Sequence, residues 1–123
     1  MIRVVCADDS PFLRKVLKDF LESTGKVTVV GEAKNGKEAI DQVAALKPDI
    51  LILDCEMPVM NGLEVLETIK RNNKYTNIPV LIVSTESEDD KMSQAFAAGA
   101  KGYISKPFTP ERLLNLVRGR ISV

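Results

Sequence analysis

Apolar residues along the chain fall into five short runs separated by five longer stretches in which they recur at helical spacing. The short runs predict strands at Ile2–Ala7, Val27–Gly31, Ile50–Leu53, Val80–Val83 and Lys101–Ile104. Ile50-Leu51-Ile52-Leu53 and Val80-Leu81-Ile82-Val83 are apolar at every position, the pattern of central parallel strands covered by helices on both faces. The first helix is predicted over Pro11–Ser23, with Phe12, Leu13, Val16, Leu17, Phe20 and Leu21 forming its buried face. Ser10 is its cap, Pro11 suits the first helical position, and Gly25 stops it. A second helix covers Gly36–Leu46, ended with the help of Pro48, and a third starts near Gly62 with Leu63, Leu66 and Ile69 inward. The fourth, Glu86–Ala98, is weakly patterned and rich in small residues (Ala95, Ala97, Ala98, then Gly99), so light packing is expected. The fifth, Thr109–Gly119, turns Leu113, Leu114 and Val117 inward, and the polar loop Arg71–Lys74 is expected to be weakly ordered.

Strict alternation of strand and helix with short loops implies right-handed crossovers and a three-layer α/β sandwich. The 123 residues make one domain, 1–123, long enough to bury a core without staples. Lysine plus arginine and aspartate plus glutamate number 17 each, so charge gives no sign of a polyanionic partner and direct nucleic-acid binding is disfavoured. No apolar run approaches a membrane span of about 20 residues, and the N-terminus is too short an apolar stretch for a secretory signal. Cys6 and Cys55 form no disulfide framework and read as reduced thiols, which points to a cytoplasmic protein. Histidine is absent, removing the usual imidazole metal ligands and the commonest general base.

Ligands of an open parallel sheet bind beyond the carboxyl ends of its strands. Asp8 and Asp9 follow the first strand, Asp54 the third, Ser84 and Thr85 the fourth, and Ser105 and Lys106 the fifth. Taken singly, these residues read as helix-start acids, a loop carboxylate, a cap and a solvated charge. Together, with the four strands adjacent, they bring three carboxylates, a hydroxyl and an ammonium to one edge. Carboxylates about 4 Å apart repel by about 4 kcal/mol per pair at an effective dielectric near 20, so the cluster calls for a cation. Oxygen ligands without histidine or cysteine select Mg²⁺ or Mn²⁺ over Zn²⁺.

Asp8-Asp9-Ser10, Asp54-Cys55-Glu56-Met57-Pro58 with Asn61-Gly62, Ile78-Pro79-Val80 leading to Ser84-Thr85, Gly99-Ala100, Gly102-Tyr103 and Lys106-Pro107-Phe108 together resemble the receiver domain of bacterial two-component response regulators. The resemblance covers essentially the whole chain and is strongest to stand-alone, chemotaxis-type receivers. It implies a flavodoxin-like (CheY-like) fold, with five parallel strands in the order 2-1-3-4-5 and five helices. It implies that Asp54 accepts a phosphoryl group, that Asp9 binds Mg²⁺ directly and Asp8 through water, and that the Glu56 backbone carbonyl completes the protein's ligands. Mn²⁺ is expected to substitute. Lys106 corresponds to the lysine that neutralises phosphoryl oxygens, and its bond to Pro107 is a candidate cis peptide. Ser84 matches the switch hydroxyl, at a position where threonine is commoner, and Tyr103 the aromatic that follows it into the space it vacates. Glu56, Thr85 and Glu86 occupy positions that tune phosphoryl lifetime. The Glu56 side chain is expected to face the mouth of the site and to act by charge.

The implied function is a switch driven by a sensor histidine kinase or phosphotransfer protein. It would present helix 4, strand 5 and helix 5, with Lys101 and Tyr103, to a downstream protein, as a monomer or a weak phosphorylation-dependent dimer. It catalyses only its own phosphorylation and dephosphorylation. A larger regulator with a DNA-binding or catalytic output domain is the alternative to a stand-alone chain. A haloacid-dehalogenase-type phosphatase would want Asp-x-Asp after its first strand, where this chain has adjacent Asp8 and Asp9. A flavodoxin-like FMN carrier would not place two carboxylates against the phosphate.

Overall fold

The computed structural model describes residues 1–84, 89–106 and 108–121, with the side chains of 89–91, 110 and 120–121 excepted. The chain alternates β1 (Ile2–Ala7), α1 (Pro11–Ser23), β2 (Val27–Ala33), α2 (Gly36–Leu46), β3 (Ile50–Asp54), α3 (Gly62–Arg71), β4 (Val80–Ser84), α4 (Asp89–Ala97), β5 (Gly102–Ser105) and α5 (Pro110–Ile121). All neighbouring strands are parallel, in the order β2-β1-β3-β4-β5. The sheet therefore has the predicted topology, and the carboxyl ends of β1, β3, β4 and β5 lie side by side.

Alternation along the strands divides the core in two. Val5, Ala7, Leu51, Leu53 and Ile82 face one helical layer with Val43, Val65, Leu66, Ile69 and Ala95. Val4, Cys6, Ile50, Ile52, Leu81, Val83 and Ile104 face the other with Leu17, Leu21, Leu113, Leu114 and Val117. Both faces of β3 and β4 are buried, as a continuous apolar run in a central parallel strand requires.

α1 corrects the expectation of a single buried face. Leu17 and Leu21 are buried and Leu13 and Phe20 pack beside them, but Phe12 is 78% exposed and Val16 40%. Apolar residues at i and i+1 lie about 100° apart on a helix, so six of them make two stripes and only one can meet the sheet. Ser10 Oγ accepts from the Leu13 amide at 3.2 Å, closing the first turn as its sequence position requires.

The strands also extend to the site. β3 and β4 end one residue later than their apolar runs, because the ladder continues through Asp54 opposite Val83 and Ser84 opposite Ser105. β5 starts at Gly102, one residue later than expected, and Lys101 is exposed. The start predicted for α4 falls on residues outside the described ones, and its last helical residue is Ala97. The loop after α3 is tied down by hydrogen bonds, where weak order was expected. The Lys70 ammonium donates to the Thr76 carbonyl at 2.9 Å and the Ile78 carbonyl at 2.8 Å, and the Tyr75 amide to the Asn72 carbonyl at 3.0 Å. No helix among the described residues is long and apolar enough to cross a membrane.

Candidate functional site

Asp54 is the last residue of β3 and Asp8 follows β1 directly, so two carboxylates stand at adjacent strand ends, each 3% exposed. The Lys106 ammonium, one residue past β5, sits 3.4 Å from Asp8 Oδ2 and 3.4 Å from Asp54 Oδ2. The remaining oxygens are held by backbone: Asp54 Oδ1 accepts from the Glu56 amide at 3.2 Å and Asp8 Oδ1 from the Ser10 amide at 2.9 Å. Asp9 stands exposed at the rim. One carboxylate oxygen from each of Asp8, Asp9 and Asp54 lies within 4.8 Å of the others.

This arrangement carries more negative than positive charge, and the acidities record it. Burial, followed by the negative charge of Asp8, pushes the Asp54 pKa up from 3.8 to about 6, although Lys106 pulls the other way. Partial burial works against the Lys106 ammonium, but Asp54 and Asp8 outweigh it and hold its pKa above the usual lysine value. One ammonium cannot balance three carboxylates. An all-oxygen donor set of this spacing fits a hard divalent cation such as Mg²⁺. Cys6 is buried behind the site, and burial first, then Asp8, pushes its pKa to about 12, so it remains an inert thiol.

The loop that joins Asp54 to α3 is fitted closely to its surroundings. The Gly62 amide donates to the Cys55 carbonyl at 2.9 Å, and a Cβ on Gly62 would lie 2.7 Å from the Asp54 carbonyl oxygen. Gly36 likewise lets the N-terminus of α2 press against the Met60 backbone. Asn61 and Glu64 form a reciprocal capping box that fixes where the loop becomes α3. Val59, 79% exposed, takes a left-handed φ of 71°, and the Met60 amide donates across it to the Pro58 carbonyl at 2.7 Å. A β-branched residue there is strained, and the closure of this tight turn holds it.

One expected site residue, Glu56, behaves differently from its sequence reading. The Glu56 carboxylate is turned onto Ser84, whose Oγ donates to Oε2 at 2.7 Å, so it does not act by charge alone. Hydrogen bonding wins because the Ser84 side chain is fully buried beside it and offers a proton. Tyr103 is buried in the core on the side of the sheet covered by α2, α3 and α4. Ala95, Ala98 and Ala100 belong to the same part of the core. Thr85, Glu86 and Pro107, and with Pro107 the expected cis peptide, lie outside the described residues. Arg14 was not anticipated: its guanidinium donates to the Asp8 carbonyl and pairs with Glu32 at 3.1 Å, pinning the end of β1 to α1 and β2. Its only sequence signal is a basic residue on the first turns of the helix after Asp8-Asp9, which is too common to single out.

Comparison with known proteins places this geometry. Residues 4–118 match the response regulator receiver domain family. The chain is 38% identical over 112 residues to the chemotaxis protein CheY of Thermotoga maritima, covering 91% of each chain. It is 42% identical over 109 residues to a protein-glutamate methylesterase/protein-glutamine glutaminase of Geobacillus kaustophilus, covering 89% of this chain and 31% of that one. The chain thus spans about a third of the length of the methylesterase relatives it matches. Among solved structures, the response regulator domain of Thermotoga maritima CheB superimposes with a TM-score of 0.90 at 37% identity, covering 100% of this chain and 98% of that one.

Proposed function

The chain belongs to the response regulator receiver domain family, and from that membership we propose that it is a Mg²⁺-dependent switch that carries a phosphoryl group on Asp54. The family consists of signalling switches that interact with histidine kinases or phosphotransfer proteins and with output domains. That sets aside the phosphatase and flavin-carrier readings. The observation that carries the proposal is the Lys106 ammonium set 3.4 Å from both Asp8 and Asp54, in a pocket with a third carboxylate close by.

With its pKa near 6, Asp54 is mostly ionised at neutral pH and so is a nucleophile. One of its oxygens attacks phosphorus, and the bond from phosphorus to the donor's nitrogen or oxygen breaks. The electron pair leaves with the donor, giving an aspartyl phosphate. Lys106 then pairs with phosphoryl oxygens in place of the Asp54 oxygen it now faces. Asp9, Asp54 and the Glu56 carbonyl would hold Mg²⁺, with Asp8 contributing through water. The bound ion supplies charge neutralisation for donor and product. Ser84 is the hydroxyl drawn to the new anion. Tyr103, on β5 beside Ser84, is the aromatic that follows the hydroxyl, and α4, packed on β5, is the element that shifts with it. The face of α4, β5 and α5 is therefore the output surface, where Met92 and Phe96 stay 37% and 46% exposed. We place the protein in the cytoplasm with a histidine kinase or phosphotransfer protein upstream and a protein target downstream.

A longer regulator, with this receiver joined to a catalytic or DNA-binding output domain, is the second reading; the lengths of the methylesterase relatives favour it.

Asp9→Ala tests the metal site. Loss of a group that only hydrogen-bonds to a metal's ligands costs metal sites roughly 10- to 100-fold in affinity, so losing a direct carboxylate should weaken Mg²⁺ by about tenfold or more. Calorimetric titration of the purified chain reads this, and an unchanged Mg²⁺ affinity would put the ion elsewhere.

A further inference from the structure

We propose that the Glu56 carboxylate is a latch on Ser84: it holds the hydroxyl that a phosphoryl group on Asp54 must recruit, and so sets how readily the switch turns on. This rests on the phosphoacceptor reading of Asp54.

The chain places the two residues for competition. The Cys55 amide donates to the Val83 carbonyl at 2.8 Å, which carries the β3 strand one residue past its end and sets Glu56 beside the end of β4. The Glu56 amide is tied to Asp54 Oδ1 at 3.2 Å, while its side chain takes the Ser84 proton at 2.7 Å. Glu56 thus bridges the acceptor carboxylate and the switch hydroxyl. From the other side, the Lys106 amide donates to the Ser84 carbonyl at 2.7 Å, so the backbone of Ser84 is fixed and only its side chain is left to turn.

A serine hydroxyl has one proton to donate. Bonded to a carboxylate at 2.7 Å, with Ser84 wholly buried, it is in a charge-assisted bond of the stronger kind. Asp54 ends its strand opposite Val83, next to Ser84, so a phosphoryl group there puts three new anionic acceptors within the reach of the same proton. The hydroxyl cannot serve both. Activation therefore includes breaking the Glu56 bond, and the strength of that bond is subtracted from whatever the phosphoryl group gains. A carboxylate at this position restrains the switch through a specific contact, in addition to any repulsion of anions.

A double-mutant cycle separates contact from charge. The probe is beryllium trifluoride, a tetrahedral phosphoryl mimic, titrated into the full chain at saturating Mg²⁺ and followed by calorimetry or NMR. Glu56→Met removes both charge and acceptor; Glu56→Gln keeps the length and a neutral acceptor and should give a smaller effect in the same direction. In the native Ser84 background, Glu56→Met is expected to tighten the probe by about tenfold more than it does in the Ser84→Ala background, the scale of one charge-assisted bond. An excess under about threefold overturns the latch and leaves Glu56 acting by charge. Failure of the wild-type chain to bind the probe at all overturns the phosphoacceptor reading, and the latch with it.

Discussion

Asp54→Asn is expected to abolish phosphoryl uptake and, without divalent cations, to make the protein more stable by about 1 to 3 kcal/mol at pH 7. The loss of uptake follows from the loss of the nucleophilic carboxylate. The stability gain follows from the site's electrostatics. Burial and Asp8 raise the Asp54 pKa from 3.8 to about 6, so the folded protein holds this proton more tightly than the unfolded chain does. Ionising Asp54 then penalises folding increasingly as pH rises from about 4 to about 6, and at full strength above that range. The amide escapes the penalty while its oxygen can still accept from the Glu56 amide. The advantage of Asp54→Asn should therefore vanish near pH 4, be complete by about pH 7, and shrink when Mg²⁺ is added, because the ion compensates only the wild-type charge. Thermal or urea unfolding in a chelator at the two pH values measures it. A variant less stable than wild type at neutral pH would mean that the Lys106 contact outweighs the repulsion of Asp8.

Lys106→Ala should act in the opposite direction on stability. Its ammonium is the cation 3.4 Å from both Asp8 and Asp54, whose side chains are only 4% and 3% exposed. Removing one partner of a fully buried pair costs about 3 to 5 kcal/mol. With the Lys106 side chain 21% exposed, water makes up part of the loss, and about 2 kcal/mol is expected in a chelator. Saturating Mg²⁺ should recover most of that loss, so the variant is stabilised by the ion more than wild type. Phosphoryl uptake should not recover with it. Lost stabilisation of developing negative charge by one donor costs roughly 100- to 1000-fold in rate, and Mg²⁺ does not replace a donor on the other oxygens. Unfolding with and without Mg²⁺, alongside uptake from acetyl phosphate, separates the two effects. Equal Mg²⁺ stabilisation of both proteins would place Lys106 outside the charge balance of the site.

Much of this was legible in the sequence, for physical reasons that particular residues show. Ile50–Leu53 and Val80–Val83 are apolar on both faces, and only a doubly covered parallel strand buries such a run. Polar residues placed immediately after such strands, Asp8, Asp54 and Lys106, had to meet at one edge once the strands were neighbours. Side-chain direction was less accessible. Periodicity marked Phe12 and Val16 as apolar without saying which of two adjacent stripes would meet the sheet, and the sheet took Leu17 and Leu21. Nor could it show that the Glu56 carboxylate would turn onto Ser84, a pair 28 residues apart whose meeting depends on the register of β3 against β4. The pinning of the loop after α3 by Lys70 was hidden for the same reason: a polar stretch reads alike whether its carbonyls meet water or a lysine.

The identity of the acceptor can be read directly by incubating the chain with acetyl phosphate and Mg²⁺, reducing any acyl phosphate with borohydride, and mapping the product by peptide mass spectrometry. The expected result is a single modification at position 54, reduced to homoserine and absent when Mg²⁺ is chelated. Modification at another residue, or none at all with Mg²⁺ saturating, would contradict the assignment of Asp54 as the phosphoryl acceptor.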